Sequence, residues 1–198
     1  MAVDRAELTA NLHRFYDFTG KVVLYVGAGG GQLLDPYVNT KKLIAIDRNV
    51  KALNEFRRNI AVKGMEDCVE AVSAKFEDVL LRGDVVYFEF CLHELADPQK
   101  ALAHARTLAP DVVVFDHLHG SEWAYYAAEE EKVRRSGEAM KRFGIRRRET
   151  FRTAQRFKDH AELLVKMAEQ GHLAIQRAQL FAGSTDIVIP MPCELAVL

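Results

Sequence analysis

Short, almost unbroken apolar runs alternate along this chain with stretches in which apolar residues return every three or four positions. The runs "KVVLYV" (21–26), "KLIAI" (42–46), "CVEAVSA" (68–74), "DVVYFEF" (84–90) and "DVVVF" (111–115) read as strands. Over 49–64, Val50, Leu53, Phe56 and Ile60 fall at helical spacing, with Asn49 as the cap and Gly64 as the stop. Pro98 opens another helix through Leu102 to Leu108, and Asp4 with Glu7 resembles a capping box for a first helix through Leu8, Leu12 and Phe15. Strands that are apolar throughout must be covered on both faces, so the alternation predicts an α/β domain with a mostly parallel sheet. Beyond residue 120 the pattern changes. Residues 121–143 look helical but poorly periodic, 157–170 predict a helix ending at Gly171, and "HLAIQRAQLF" and "TDIVIPM" around "AGS" predict an antiparallel hairpin. With no repeat, linker or low-complexity tract, 1–198 reads as a single domain, with 1–19 as an N-terminal cap helix and 121–155 as a lid insertion.

Composition narrows the class without naming a chemistry. Of 198 residues 49% are hydrophobic and 28% charged, and a net charge of -1 gives no general attraction to nucleic acid or anionic membrane. Cys68, Cys91 and Cys193 are odd in number and form no CxxC pair, which fits a reducing cytosol and argues against a disulfide framework or a structural zinc site. The opening "MAVDRAELTA" is too polar for a signal peptide, and no apolar run approaches the roughly 20 residues of a membrane span. The expectation is a soluble, cytoplasmic protein.

Chemistry enters with "VLYVGAGGGQLLD" (23–35), where a strand gives way to Gly27-x-Gly29-x-Gly31. In an open parallel sheet such a turn lies on the rim where ligands sit. A dinucleotide fingerprint needs a further glycine where Gln32 stands, so a nicotinamide oxidoreductase is disfavoured. Asp47, 20 residues after Gly27 at the end of the second strand, suits the hydroxyls of a ribose. Singly, these are what a tight turn and a helix cap also look like; together they specify a ribose-bearing cofactor.

The segment "GDVVYFEFCLHELADPQKALAHARTLAPDVVVFD" (83–116) then resembles the second half of the class I S-adenosylmethionine-dependent methyltransferase family, on Asp84 to Tyr87, Leu92-His93-Glu94-Leu95, Asp97-Pro98, Arg106, Leu108 and Pro110. The glycine turn resembles that family's GxGxG motif, "LIAID" its acidic motif, and "RFKDHAELLVKMAEQGH" (156–172) the helix before its final hairpin; the likeness covers most of 20–190. It implies the Rossmann-like class I fold, a mostly parallel seven-stranded sheet with a C-terminal antiparallel hairpin. It also implies S-adenosylmethionine as cofactor and S-adenosylhomocysteine as product. Carried over by position, Gly27, Ala28, Gly29 and Gly31 would lie along the methionine part and ribose, Asp47 would hold the ribose hydroxyls, Arg48 would lie beside the adenine and Phe76 would pack on it. Glu89, Phe90 and Cys91 would line the methyl-transfer site. The chain departs from the family at Tyr25 and Lys75, where acids are usual (Glu77 or Asp78 could substitute for the second), and "LAPDV" lacks the usual glycine pair.

Transfer from a sulfonium requires alignment and, for some acceptors, removal of a proton. His93, His117 and His119 follow strands four and five and are the candidate bases, each equally readable as a cap or surface residue. Asp116, His117, His119 and Glu89 match no metal spacing, so no metal is expected. No [D/N]PP[Y/F] turn and no recognition domain are present, which favours a small-molecule acceptor between aromatic walls from Tyr16, Trp123, Tyr125 and Tyr126, residues that core packing explains equally well. Against this, 132–158 hold eleven Lys/Arg and two acids with Phe143, Phe151 and Phe157 interleaved, either a nucleic-acid track or a solvated lid face. The reading is a small-molecule methyltransferase. The alternatives are a catalytically silent cofactor-binding or regulatory protein, and a methyltransferase acting on nucleic acid through 132–158.

Overall fold

A computed structural model describes residues 5–31 and 33–198, so the Asp4 cap and Gln32 lie outside the described residues. The seven strands of the main sheet are β1 (Val22–Val26), β2 (Lys42–Asp47), β3 (Val69–Ser73), β4 (Val85–Glu89), β5 (Asp111–His117), β6 (Arg147–Phe151) and β9 (Cys193–Val197). β7 (Ala154–Asp159) and β8 (Thr185–Pro190) form a separate antiparallel pair. The helices are α1 (Arg5–Phe15), α2 (Val50–Lys63), α3 (Pro98–Leu108), α4 (Glu122–Tyr126), α5 (Glu130–Phe143), α6 (His160–Ala168) and α7 (His172–Ala178). Strand order is β3-β2-β1-β4-β5-β9-β6, with the first five strands parallel and β9 antiparallel to both β5 and β6. This is the expected seven-stranded, mostly parallel sheet with antiparallel pairing at its C-terminal end.

The apolar runs form strands because both faces of the sheet are buried. Alternate residues of β1, β4 and β5 enter two cores: Tyr25, Tyr87 and Phe115 face one, and Leu24, Val86, Phe88 and Val114 the other. The helix ends follow their sequence signals. The Asn49 side chain accepts from the Lys51 and Ala52 N–H groups, Gly64 closes α2 at φ 64, and Asp97 accepts from the Lys100 N–H ahead of α3.

Three assignments past residue 120 are corrected. Residues 172–181 are helical rather than the first arm of a hairpin, and the partner of 185–190 is β7. The helix expected over 157–170 begins only at His160, because 154–159 are strand and Asp159 accepts from the Glu162 N–H as the cap. Of the expected lid over 121–155, β6 is a strand of the main sheet and α5 packs on α3, which leaves α4 against β8 and α7.

Candidate active site

Strand order reverses direction between β1 and β4, and a crevice opens where their carboxyl ends diverge. A cavity of about 480 Å³ lies there, within the range of small-molecule sites. Five of the ten residues expected to hold the cofactor line it: Gly27, Asp47, Arg48, Phe76 and Cys91, joined by Lys75, Glu77 and Glu94. Phe76 is buried edge-on against Phe88 (5.2 Å) and His104 (5.1 Å), which fixes its ring in the cavity wall.

The turn residues divide their work. Gly27 has φ 69, and a Cβ on it would stand 2.5 Å from the Cys91 Cβ, so only glycine lets β1 and the end of β4 close up here. Gly29 gives its N–H to Asp47 Oδ2 at 2.9 Å, while the Asn49 N–H reaches Oδ1 at 2.8 Å. Asp47 is thereby aimed by two backbone donors, and each oxygen keeps a lone pair for a diol. Ala28 and Gly31 are buried behind the turn; a Cβ on Gly31 would meet the Phe56 ring at 2.6 Å, so this glycine serves packing. The open cavity, the aimed carboxylate and the aromatic wall fit a ribose-bearing cofactor.

Glu89 ends β4 two residues before Cys91, half-buried among tyrosines. The Tyr87 hydroxyl donates to its Oε2 at 3.1 Å, and Tyr25, opposite Tyr87 in the strand register, and Tyr37 pack around the same carboxylate with ring centroids 5.4 to 5.9 Å apart. The Tyr37 hydroxyl is buried and makes no hydrogen bond among the described residues. Burial pushes the Glu89 carboxyl up to about 7, and the hydroxyls of Tyr25 and Tyr87 hold it back from rising further. Glu89 thus lies next to Tyr25 on the neighbouring strand, close to the position where the family has an acid. Phe90 follows at φ 46, a strained backbone for a non-glycine residue, its ring against Phe115 (4.6 Å) and His117 (5.0 Å).

The three histidines part company. His93 is buried, and its Nδ1 meets Asp116 Oδ1 at 2.5 Å. Burial pulls its pKa down, but Asp116, Glu94 and Glu129 outweigh this and push it up to about 10. His117 is pulled down to about 4, chiefly by burial, with its Nδ1 unpaired. His119 lies exposed in the turn after β5. His93 is therefore held in its charged form and His117 is a weak base, which suits neither to proton acceptance at neutral pH.

None of Tyr16, Trp123, Tyr125 and Tyr126, expected as pocket walls, is among the described residues that line this cavity. The Tyr16 hydroxyl donates to Asp111 Oδ2 at 2.6 Å, and Asp111 begins β5, so Tyr16 sits at the sheet edge opposite the cavity. Trp123 stacks on Phe157 (6.0 Å), and Tyr126 lies against Tyr125 and Phe181. Five of the eleven basic residues of 132–158 pair with acids within the chain. Lys132 pairs with Glu94, Arg134 with Glu131 and Glu138, Arg142 with Glu138, Arg146 with Asp111 and Arg148 with Glu194. Arg135 donates to the Ala96 carbonyl, and Arg147 stacks on Phe15. Its phenylalanines are covered too: Phe157 is buried, Phe151 packs on Phe115, and Phe143 lies under Arg106. Among the described residues, no helix is long and apolar enough to cross a membrane.

The comparisons agree with this architecture. A protein from Bacillus halodurans C-125 assigned as a methyltransferase superposes with a TM-score of 0.72 at 16% identity, over 96% of each chain. A SAM-dependent methyltransferase from Aquifex aeolicus gives 0.61 at 19% identity over 98% of this chain and 89% of its own. Precorrin 8w decarboxylase from Methanobacterium thermoautotrophicum gives 0.63 at 15% identity over 96% and 88%. At such identities the likeness is one of fold. No curated protein matches the sequence. The family model described as a methyltransferase domain matches residues 3–176, most of the chain, which therefore belongs to the class I S-adenosylmethionine-dependent methyltransferase family.

Proposed function

We propose that this chain transfers the methyl group of S-adenosylmethionine to a small-molecule acceptor by in-line displacement, with Glu89 receiving the acceptor's proton. The observation that carries the reading is the 480 Å³ cavity at the β1–β4 switch point, lined by Gly27, Asp47, Arg48, Phe76 and Cys91. Asp47 would accept from the ribose hydroxyls, Phe76 and Arg48 would flank the adenine, and Gly27 and Cys91 would border the methionine end. The cofactor supplies an electrophilic methyl on a positively charged sulfur. What the chain adds is alignment and exclusion of water.

Glu89, two residues before Cys91 of the cavity wall, is preferred to His93 and His117 as proton acceptor because a group titrating near 7 is matched to neutral-pH catalysis, whereas values near 10 and 4 are not. The Tyr87 hydroxyl orients its carboxylate. Glu77 on the cavity wall beside Lys75, and Glu89 next to Tyr25, offer acids near the two positions where the family has them, which favours a working enzyme over a silent binding protein. Nucleic acid is disfavoured because seven of the eleven basic groups of 132–158 already have partners inside the chain. The free cysteines fit work in a reducing cytoplasm.

Calorimetric titration with S-adenosylmethionine and, in parallel, S-adenosylhomocysteine tests the cofactor. Micromolar binding of both supports the reading, and binding of neither sinks it. Transfer of labelled methyl to a small-metabolite pool, but not to RNA or DNA, is the expected second result.

A further inference from the structure

Behind the cavity wall, three side chains converge that methyl transfer leaves unused. His93 comes from the turn at Leu92–Glu94, His117 from the end of β5, and Glu129 from the residue capping α5. Each is more than nine-tenths buried, and one donor atom from each lies within 4.8 Å of the other two. We propose that His93, His117 and Glu129 bind a divalent transition-metal ion, zinc in the first place.

The geometry around His93 is that of a prepared ligand. Its Nδ1 is held by Asp116, and its Nε2 faces Glu94 Oε1 at 3.5 Å and Glu129 Oε2 at 3.8 Å. A carboxylate behind a histidine fixes the tautomer and raises the basicity of the nitrogen that meets a metal. Asp116 is itself locked by the N–H groups of His93 (3.2 Å) and His117 (2.8 Å). His117 Nδ1 is buried with no hydrogen-bond partner, a state that costs free energy unless something occupies the lone pair.

Charge points the same way. Asp116, Glu94 and Glu129 face one ammonium, that of Lys132, which lies 2.8 Å from Glu94 and 3.9 Å from Glu129. Two imidazoles and a carboxylate form a donor set that zinc takes readily, and three protein ligands leave a coordination position open. Tetrahedral ligation brings donor atoms to about 3.4 Å from one another, so these side chains would close by an ångström or so. The set differs from the one considered in the sequence, since His119 is exposed and Glu89 is held by tyrosines. It stands independently of the methyl-transfer reading.

The test uses the full chain, freed of any affinity tag, stripped with chelator and titrated with Zn²⁺ by calorimetry, with metal content measured by mass spectrometry. About one equivalent bound in the submicromolar range is expected, and Asp116→Asn should weaken it about 10- to 100-fold through His93. His117→Gln and Glu129→Gln, which keep side-chain size, should each abolish that binding while circular dichroism remains that of the parent chain. The visible bands of Co²⁺ in the site should vanish in the same variants. Less than a tenth of an equivalent, or binding that persists in the His117→Gln, Glu129→Gln double variant, would overturn the proposal.

Discussion

Glu89→Gln separates the physics of the tyrosine-lined carboxylate from everything else in the protein. Burial moves this carboxyl from the ordinary 4.5 to about 7, and about 1.36 kcal/mol per tenfold change in acidity makes its ionisation cost about 3 kcal/mol in the folded state. The folded pKa is the raised one, so the folded protein holds a proton that the unfolded chain has released between pH 4.5 and 7. The contribution to stability is complete below pH 4.5 and is lost as the pH rises through 7. Glutamine cannot ionise, and its amide oxygen still accepts from Tyr87. Relative to the parent, the variant should therefore gain about 3 kcal/mol between pH 4.5 and pH 8. Urea unfolding at half-unit pH intervals, compared as a difference curve, cancels the other titrating groups. A flat difference would refute the burial argument. If Glu89 receives the acceptor's proton, the same variant should bind S-adenosylmethionine normally and lose turnover, so stability rises as activity falls.

Other consequences follow from single contacts. Asp47→Ala removes the acceptor aimed by Gly29 and Asn49, and should weaken cofactor binding by about 1–3 kcal/mol; unchanged affinity in calorimetry would remove the ribose assignment. Gly27→Ala combines a left-handed backbone, about 1–2 kcal/mol, with a clash against Cys91 of about 1–3 kcal/mol. Cys91→Gly in that background should recover the clash and leave the backbone strain, which a double-mutant cycle in urea reads directly. Tyr16→Phe should lower stability by about 1–3 kcal/mol through loss of the bond to Asp111, with cofactor and acceptor affinity unchanged; a raised KM would return Tyr16 to the pocket.

The sequence was most legible where burial acts on both faces of an element. Apolar runs such as 21–26 and 84–90 have no amphipathic alternative, and Asn49, Gly64 and Asp97 mark helix ends by local hydrogen bonding alone. Legibility failed where small residues carried the buried face. In 172–178 the buried positions are Ala174 and Ala178, one helical turn apart, while the conspicuous Leu173 is exposed, so the larger side chains mimic a strand's alternation. At 154–159 the strand was readable in buried Gln155 and Phe157, and Asp159 with Glu162 marked the true helix start. The glycine turn and Asp47 were visible because their spacing is local to one β–α–β unit. The tyrosine cage of Glu89 and the His93–Asp116 pair were not. The first joins Tyr25 and Tyr87, 62 positions apart, by strand register, and the second joins the turn after β4 to β5 across 23 positions, neither of which a local pattern encodes.

The place of β9 bears on how the chain reaches this state. It is the last strand of the sheet in sequence, yet it lies between β5 and β6, and β6 touches the sheet through it alone. Until 193–197 leave the ribosome, β5 presents an apolar edge with unpaired backbone groups, and β6 has no neighbour to join. This half of the sheet is completed only once 193–197 have been made and can pair with β5 and β6. During synthesis β5, which is buried along most of its length in the finished sheet, is the segment most exposed to chaperones and to pairing with other nascent chains.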